Sequence, residues 1–155
     1  MTTSAAFKRT FDSIPSIFAL TEDAFAREGI DTRLLHAVDL ALEELFTNMV
    51  KYSTTTNAAV QVEIVAIDGG VEVTLTDYDV EPFDVTKSPD VDITLPIEQR
   101  RPGGLGLHLI RHLTDSIEYD YSTEKRRSRI TFRKTQSGSP ASGLLTNKGE
   151  ENACD

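Results

Sequence analysis

Residues 31–52 read DTRLLHAVDLALEELFTNMVKY and carry a long helical pattern. Asp31 stands where a short acidic side chain can cap the first free backbone amides of a helix. The polar cluster at residues 53–57 ends the pattern, so we predict a capped amphipathic helix that extends to about Tyr52. Its apolar stripe recurs at helical period and consists of Leu34, Val38, Ala41, Leu42, Leu45 and Met49.

Shorter patterns lie on both sides of this helix. Residues 14–28 place apolar side chains at intervals of three and four and are followed by Gly29, which predicts a first amphipathic helix. Residues 60–64 and 71–75 alternate apolar and polar side chains, and the turn residues 68–70 separate them. This arrangement predicts a β-hairpin.

A long irregular stretch separates these elements from a second group. Residues 78–103 show no clear period and contain several prolines, as lids and binding loops often do. Residues 105–113 then predict a third helix, and residues 117–132 predict a second hairpin that turns through 123–126. With four strands and three helices, we predict an α+β fold, namely a two-layer sandwich with a mixed or antiparallel sheet and the helices on one face.

The chain has 155 residues, a length that suits one domain, which we place at residues 1–135. Residues 136–155 are rich in Ser, Gly and polar side chains, so we predict a disordered tail there. Because the only cysteine is Cys154, the chain cannot form an internal disulfide, and we expect a cytoplasmic protein.

Charge and hydropathy argue against two classes of partner. The formal net charge is −9, so most of the surface repels nucleic acid. No apolar run approaches the roughly 18 residues of a membrane span, so we expect no membrane association. Residues 100–134 differ, since they carry nine basic and four acidic side chains. They could face one anionic ligand, or they could form a solvated basic strand and loop.

Two acidic positions could take part in chemistry. Glu44 and Asn48 are four residues apart and share one helix face, where a carboxylate and an amide oxygen suit a hard cation and a polarised water. The alternative is an ordinary solvated pair.

Asp77 continues the inward parity of its strand, and a buried carboxylate needs a hydrogen-bond donor. That donor could be a ligand, such as the exocyclic amine of a purine, or a backbone group of a neighbouring helix or turn.

Residues 100–106, RRPGGLG, open the third predicted helix. Glycines let a backbone approach a phosphate closely, and the free amides of a helix start point toward it. Arg100 and Arg101 would add charged donors. The stretch matches neither the P-loop nor the dinucleotide-binding fingerprint, and a simple chain reversal is the alternative.

Together these features resemble the Bergerat-type, histidine-kinase-like ATP-binding fold, and within it the bacterial anti-sigma-factor serine/threonine kinases. The resemblance spans residues 7–134. It is carried by LALEELFTNMVKY (40–52), PFD (82–84), RRPGGLGLHLIRHLTDSIEY (100–119) and ITFRK (130–134).

The resemblance implies a site for ATP and Mg²⁺. Glu44 would act as the general base and Asn48 would hold Mg²⁺ against the phosphates. The remaining roles would be adenine-amine binding by Asp77, phosphate contacts from Gly104 and Gly106, a terminal-phosphate contact from Arg100 or Arg101, and a position beside adenine for Ser128.

One segment departs from the family pattern. The family usually has Asp-x-Gly after this strand, whereas this chain has Asp77-Tyr78-Asp79 and no glycine. Strand parity favours Asp77 as the adenine contact, while counting back from Pro82 places Tyr78 in that slot, with Asp79 close by. The missing glycine could narrow the pocket.

The resemblance also implies a function. The chain would be an ATP- and Mg²⁺-dependent kinase that phosphorylates a serine or threonine of a small anti-sigma-factor antagonist, in a partner-switching circuit that controls a sigma factor or another target. A homodimer is implied as well. The alternative is a non-catalytic switch protein that sequesters its partner and has weak or lost ATP binding.

Overall fold

The computed structural model describes residues 2–52, 56–82 and 104–136. For residues 104–108 it describes the backbone but not the side chains. Eight helices and strands lie in this part of the chain. They are β1 (Thr2–Phe7), α1 (Ile14–Glu28), α2 (Leu35–Tyr52), β2 (Val60–Ile67), β3 (Gly70–Tyr78), α3 (Gly104–Leu113), β4 (Ser116–Ser122) and β5 (Arg127–Thr135). None of the helices in these ranges is long and apolar enough to cross a membrane. The predicted tail lies outside the described residues except for Gln136.

The five described strands form one sheet in the order β1-β2-β3-β5-β4, and every pairing is antiparallel. Both predicted hairpins, β2–β3 and β4–β5, are confirmed. The four-strand prediction missed β1, which pairs with β2 at the edge of the sheet. Its sequence, TTSAAF, has small and polar residues instead of a clear apolar alternation, so the pattern gave no strand signal.

The helices cover one face of this sheet, as the sequence predicted. Inward strand residues meet the apolar stripe of α2 and a few residues of α1 and α3 in a single core. Burying one such large side chain stabilises the fold by about 1.5–3 kcal/mol. The largest fully buried side chains include Ile17, Leu42, Leu45, Phe46, Ile64, Leu75, Ile110 and Phe132.

Local signals set the helix boundaries. Helix α1 ends at Gly29, whose φ of 66° lies in the left-handed region that favours glycine. The Asp31 side chain accepts a hydrogen bond from the backbone amide of Arg33 and so caps a 3-10 turn over Thr32–Leu34. Helix α2 therefore begins at Leu35, slightly later than the apolar stripe alone suggests.

Candidate functional site

Helix α2 carries the first two candidate residues on one face. Glu44 is half-buried and Asn48 is 7% exposed. Burial raises the pKa of the Glu44 carboxyl, while the positive charge of Lys51 opposes that rise. A carboxylate with a raised pKa beside an amide is suited to accept a proton at neutral pH.

The amide of Asn48 is incompletely satisfied. Its Nδ2 atom is buried and makes no hydrogen bond with any residue in the described ranges. A buried donor without a partner costs about 1–3 kcal/mol, and a bound ligand or water that accepts its hydrogen would remove this cost. This observation distinguishes Asn48 from a solvated surface residue.

Asp77 lies near the end of β3 and points into the core, as strand parity predicted. It is 1% exposed, and burial raises the pKa of its carboxyl despite the opposing effect of Arg9. Both carboxylate oxygens accept hydrogen bonds from the guanidinium of Arg9. Across the β3–β5 ladder Asp77 is paired with Ser128, which is also buried.

The two residues after Asp77 face away from the core. Tyr78 is 43% exposed. Asp79 has a φ of 57° and forms an ion pair with Arg126, with Nε of Arg126 3.3 Å from Oδ1 of Asp79. The next residue, Val80, donates its amide to the carbonyl of Arg126 and accepts a hydrogen bond from the hydroxyl of Tyr121. Hydrogen bonds therefore tie this segment to the β4–β5 hairpin.

The glycine-rich stretch lies only partly within the described residues. Helix α3 begins at Gly104, as predicted, and Gly106 lies in its first turn. Helix α3 packs beside α2, the helix of Glu44 and Asn48. Arg100, Arg101 and residues 83–84 of the PFD stretch lie outside the described residues.

With this geometry known, comparison with other proteins identifies the family. Residues 7–134 match the family model described as Histidine kinase-like ATPase domain. The chain belongs to this family. The matched range includes Glu44, Asn48, Asp77, Gly104, Gly106 and Ser128.

A solved structure with low sequence identity shares the fold of this chain. The crystal structure of the RsbU and RsbW domains of Rv1364c from Mycobacterium tuberculosis is 14% identical and superposes with a TM-score of 0.61. That match covers 87% of this chain and 32% of the other, so this chain spans about a third of that protein's length. None of the curated proteins matches this chain in a sequence search.

Two histidine kinases are structurally more distant. The histidine kinase AdeS of Acinetobacter baumannii is 14% identical with a TM-score of 0.45, over 87% of this chain and 68% of that one. The histidine kinase domain of the blue-light activated kinase EL346 from Erythrobacter litoralis is 16% identical with a TM-score of 0.42, over 88% and 63% of the two chains.

The donor set fits the ligands of an ATP-binding family. Asn48 and Glu44 offer the oxygen atoms that Mg²⁺ prefers, and Mg²⁺ usually takes few protein ligands and completes its shell with water and phosphate oxygens. The unpartnered Nδ2 of Asn48 is a donor, so it suits a hydrogen-bond acceptor such as a phosphate oxygen and not the cation itself.

The sequence reasoning missed Arg9. Its side chain is 6% exposed, and its Nη1 atom also donates to the carbonyl oxygen of Met49 in α2 at 3.0 Å. Arg9 and Asp77 are 68 residues apart. No local pattern reports such a contact, and the only available signal was the need of a buried Asp77 for a donor.

Proposed function

We propose that this histidine kinase-like ATPase domain is an ATP- and Mg²⁺-dependent serine/threonine protein kinase of the anti-sigma-factor type. Its substrate would be a small antagonist protein in a partner-switching circuit. The observation that carries the proposal is the half-buried Glu44 on the same face of α2 as Asn48, whose amide donor has no partner among the described residues.

Nucleotide binding is assigned to the end of β3. Asp77 accepts a hydrogen from the adenine amine, with Ser128 beside the base on β5. The burial of Asp77 supports Asp77 as the adenine contact over Tyr78 and Asp79, which are both exposed. Gly104 and Gly106 let the start of α3 approach the phosphates, and Arg100 or Arg101 contacts the terminal phosphate.

Asn48 holds Mg²⁺ through its side-chain oxygen. Bound Mg²⁺ supplies charge neutralisation at the phosphates and helps to align the terminal phosphoryl group. The neighbouring Glu44 accepts the proton of the attacking serine or threonine hydroxyl while the new O–P bond forms. The bond between the terminal phosphorus and the bridging oxygen breaks, and ADP leaves with that oxygen. The raised pKa of Glu44 suits this proton transfer.

The partner assignment has a separate basis. The Rv1364c structure contains RsbU and RsbW domains, and its fold matches this chain over 87% of the residues. Together with the sequence resemblance, this supports an antagonist protein as the substrate and a sigma factor or other target as the protein regulated. A homodimer and a cytoplasmic location complete the proposal.

A second candidate function is a non-catalytic switch that sequesters its partner. The observation that favours it is the charged side chain of Asp79 beside the end of β3, where the resemblance implies a glycine when Asp77 is placed at the family's aspartate. Such a protein would bind the antagonist tightly without transferring phosphate.

Phosphoryl transfer distinguishes the two functions. The purified protein is incubated with radiolabelled ATP, Mg²⁺ and a candidate antagonist, together with the variants Glu44→Gln and Glu43→Gln. Glu43 is the adjacent carboxylate on α2 and serves as the matched control. Loss of a general base slows transfer by about 10²- to 10⁴-fold, so we expect that loss for Glu44→Gln alone. Tight complex formation without transfer by the wild type would support the switch protein instead.

Nucleotide binding is tested independently by calorimetric titration with ATP, with and without Mg²⁺. Asn48→Ala should lose the Mg²⁺-dependent part of the affinity. Glu44→Gln should still bind ATP, because its proposed role begins at the transfer step. An unchanged Mg²⁺ dependence in Asn48→Ala would exclude Asn48 as the magnesium ligand.

A further inference from the structure

Arg9 joins three parts of the molecule at the proposed adenine contact. It lies in the connection between β1 and α1, where its guanidinium donates to both carboxylate oxygens of Asp77 and to the carbonyl oxygen of Met49. Met49 directly follows Asn48 in α2. One buried side chain therefore connects the amino-terminal segment, the end of β3 and the carboxyl-terminal part of α2.

The order of the strands shows from which side Arg9 reaches Asp77. Arg9 follows β1, which is separated from β3 by β2 on one side of the sheet. Ser128 belongs to β5, which adjoins β3 on the other side. Arg9, in the connection that follows β1, and Ser128, on β5, therefore come from opposite sides of β3 in the strand order.

We propose that Arg9 is a positioning residue for nucleobase recognition: it holds the Asp77 carboxylate in the orientation that accepts a hydrogen from the exocyclic amine of adenine. The inference rests on the proposed ATP-binding function and deepens it. The substrate feature that Arg9 selects, through Asp77, is the amine that distinguishes adenine from an unsubstituted purine.

The hydrogen-bonding capacity of Asp77 allows this role. An ionised carboxylate has about four acceptor positions on its two oxygens. Arg9 occupies one on each oxygen, and the backbone amide of Tyr78 also interacts with the carboxylate. A position remains for an amine hydrogen, and the planar guanidinium fixes the plane of the carboxylate in a way that one ammonium group cannot.

The experiment compares the affinities for ATP and for purine riboside 5′-triphosphate, which lacks only the exocyclic amine. We measure both affinities by calorimetry for the wild type, Arg9→Met and Arg9→Lys. Lys8→Met is the matched control, because Lys8 is the neighbouring cation and is exposed. A hydrogen bond to a charged group corresponds to about 10-fold or more in affinity, so the wild type should prefer ATP by that factor.

The variants should reduce this preference in a graded way. The affinities of Arg9→Met for the two triphosphates should agree within about twofold. Arg9→Lys should show an intermediate preference for ATP, because lysine restores the charge without the planar guanidinium. Lys8→Met should prefer ATP by the same factor as the wild type. Arg9→Met leaves the buried Asp77 charge unpaired, so circular dichroism checks its folding. If Arg9→Met is unfolded, the test rests on Arg9→Lys, and a preference for ATP equal to that of the wild type in Arg9→Lys overturns the inference.

The remaining outcomes separate this inference from the proposed function. A wild type that binds neither triphosphate contradicts ATP binding, and this inference with it. A wild type that binds both equally overturns the role of Asp77 and Arg9 in reading the amine, while the kinase proposal stands. An undiminished ATP preference in folded Arg9→Met overturns the role of Arg9 alone.

Discussion

Asp79 and Arg126 form an ion pair between the end of β3 and the start of β5, and both residues have a left-handed backbone, with φ of 57° and 50°. Residues other than glycine rarely adopt this conformation, although aspartate tolerates it better than most. With Asp77 placed at the family's aspartate, the sequence resemblance implies a glycine at the position of Asp79. Asp79 therefore has the left-handed backbone that glycine adopts readily, and the Asp79 side chain pairs with Arg126.

This relationship predicts opposite roles for the backbone and the side chain of Asp79. Both Asp79→Gly and Asp79→Ala lose the ion pair, but only Asp79→Gly relieves the strain of the left-handed backbone. We expect Asp79→Ala to be less stable than Asp79→Gly by about 1 kcal/mol in urea unfolding. Equal stabilities of the two variants would contradict the left-handed conformation at this position.

The turn between β2 and β3 predicts unequal effects of two adjacent glycine substitutions. A Cβ atom on Gly70 would overlap the carbonyl oxygen of Lys134 and lie 2.7 Å from Cα of Thr135, both backbone atoms of β5. A Cβ on Gly69 meets nothing within 4 Å, although its φ is 74°.

Gly69→Ala should therefore cost only the backbone strain, about 1 kcal/mol. Gly70→Ala should cost more, because strand β5 must move away from β3. Denaturant unfolding of both variants measures the difference, and a smaller loss for Gly70→Ala would be inconsistent with this packing.

Acid should remove a stabilising contribution of Asp31. Hydrogen bonds from Arg33, both side chain and backbone, lower the pKa of Asp31 to about 2, and Gln136 adds a further hydrogen bond. Because the folded-state pKa lies below the unfolded value of about 3.9, the contribution is present above pH 4 and disappears as the pH falls toward 2. The stability difference between wild type and Asp31→Asn should shrink over that range, and a constant difference would refute the assignment.

The contact between α1 and α2 predicts the opposite pH dependence. Thr21 donates a hydrogen bond to half-buried Asp39, with 2.6 Å between Oγ1 and Oδ1, and burial raises the pKa of Asp39. A raised folded-state pKa means that stability is highest below the unfolded pKa and declines as the pH rises through the folded value.

Thr21→Val removes the donor that favours the charged form of Asp39, at a cost of about 1–2 kcal/mol at neutral pH. That loss should be smaller near pH 4, where Asp39 gains a proton more readily. Thr21→Ser keeps the hydroxyl and is the control. A loss that is equal at both pH values would show that packing alone, and not the hydrogen bond, explains the effect.

Much of the fold could be predicted because its signals are local. The bounds of α1, the two hairpins and the start of α3 all follow from periodicity and turn residues. The edge strand β1 could not be predicted, because TTSAAF acquires its strand conformation from pairing with β2. The capping role of Asp31 was predicted from the sequence, although the element it caps is a 3-10 turn that precedes α2.

The candidate site divides in the same way. The burial of Asp77 follows from alternation along a single strand, and the shared face of Glu44 and Asn48 follows from helix geometry. The contact with Arg9 depends on where the connection between β1 and α1 lies relative to the end of β3, which follows from the tertiary structure and not from a local pattern. The unpartnered Nδ2 of Asn48 depends on everything packed around α2, so it is visible only in three dimensions.

Strand β3 has hydrogen-bonded neighbours on both sides, β2 and β5, along most of its length. Amide protons in such a central strand exchange with solvent only when the whole domain opens. Deuterium uptake along β3 therefore measures the global free energy of unfolding. Asp77 lies one residue beyond the ladder with β2 and is paired with β5 alone, so the part of β3 that is protected on both sides ends beside it.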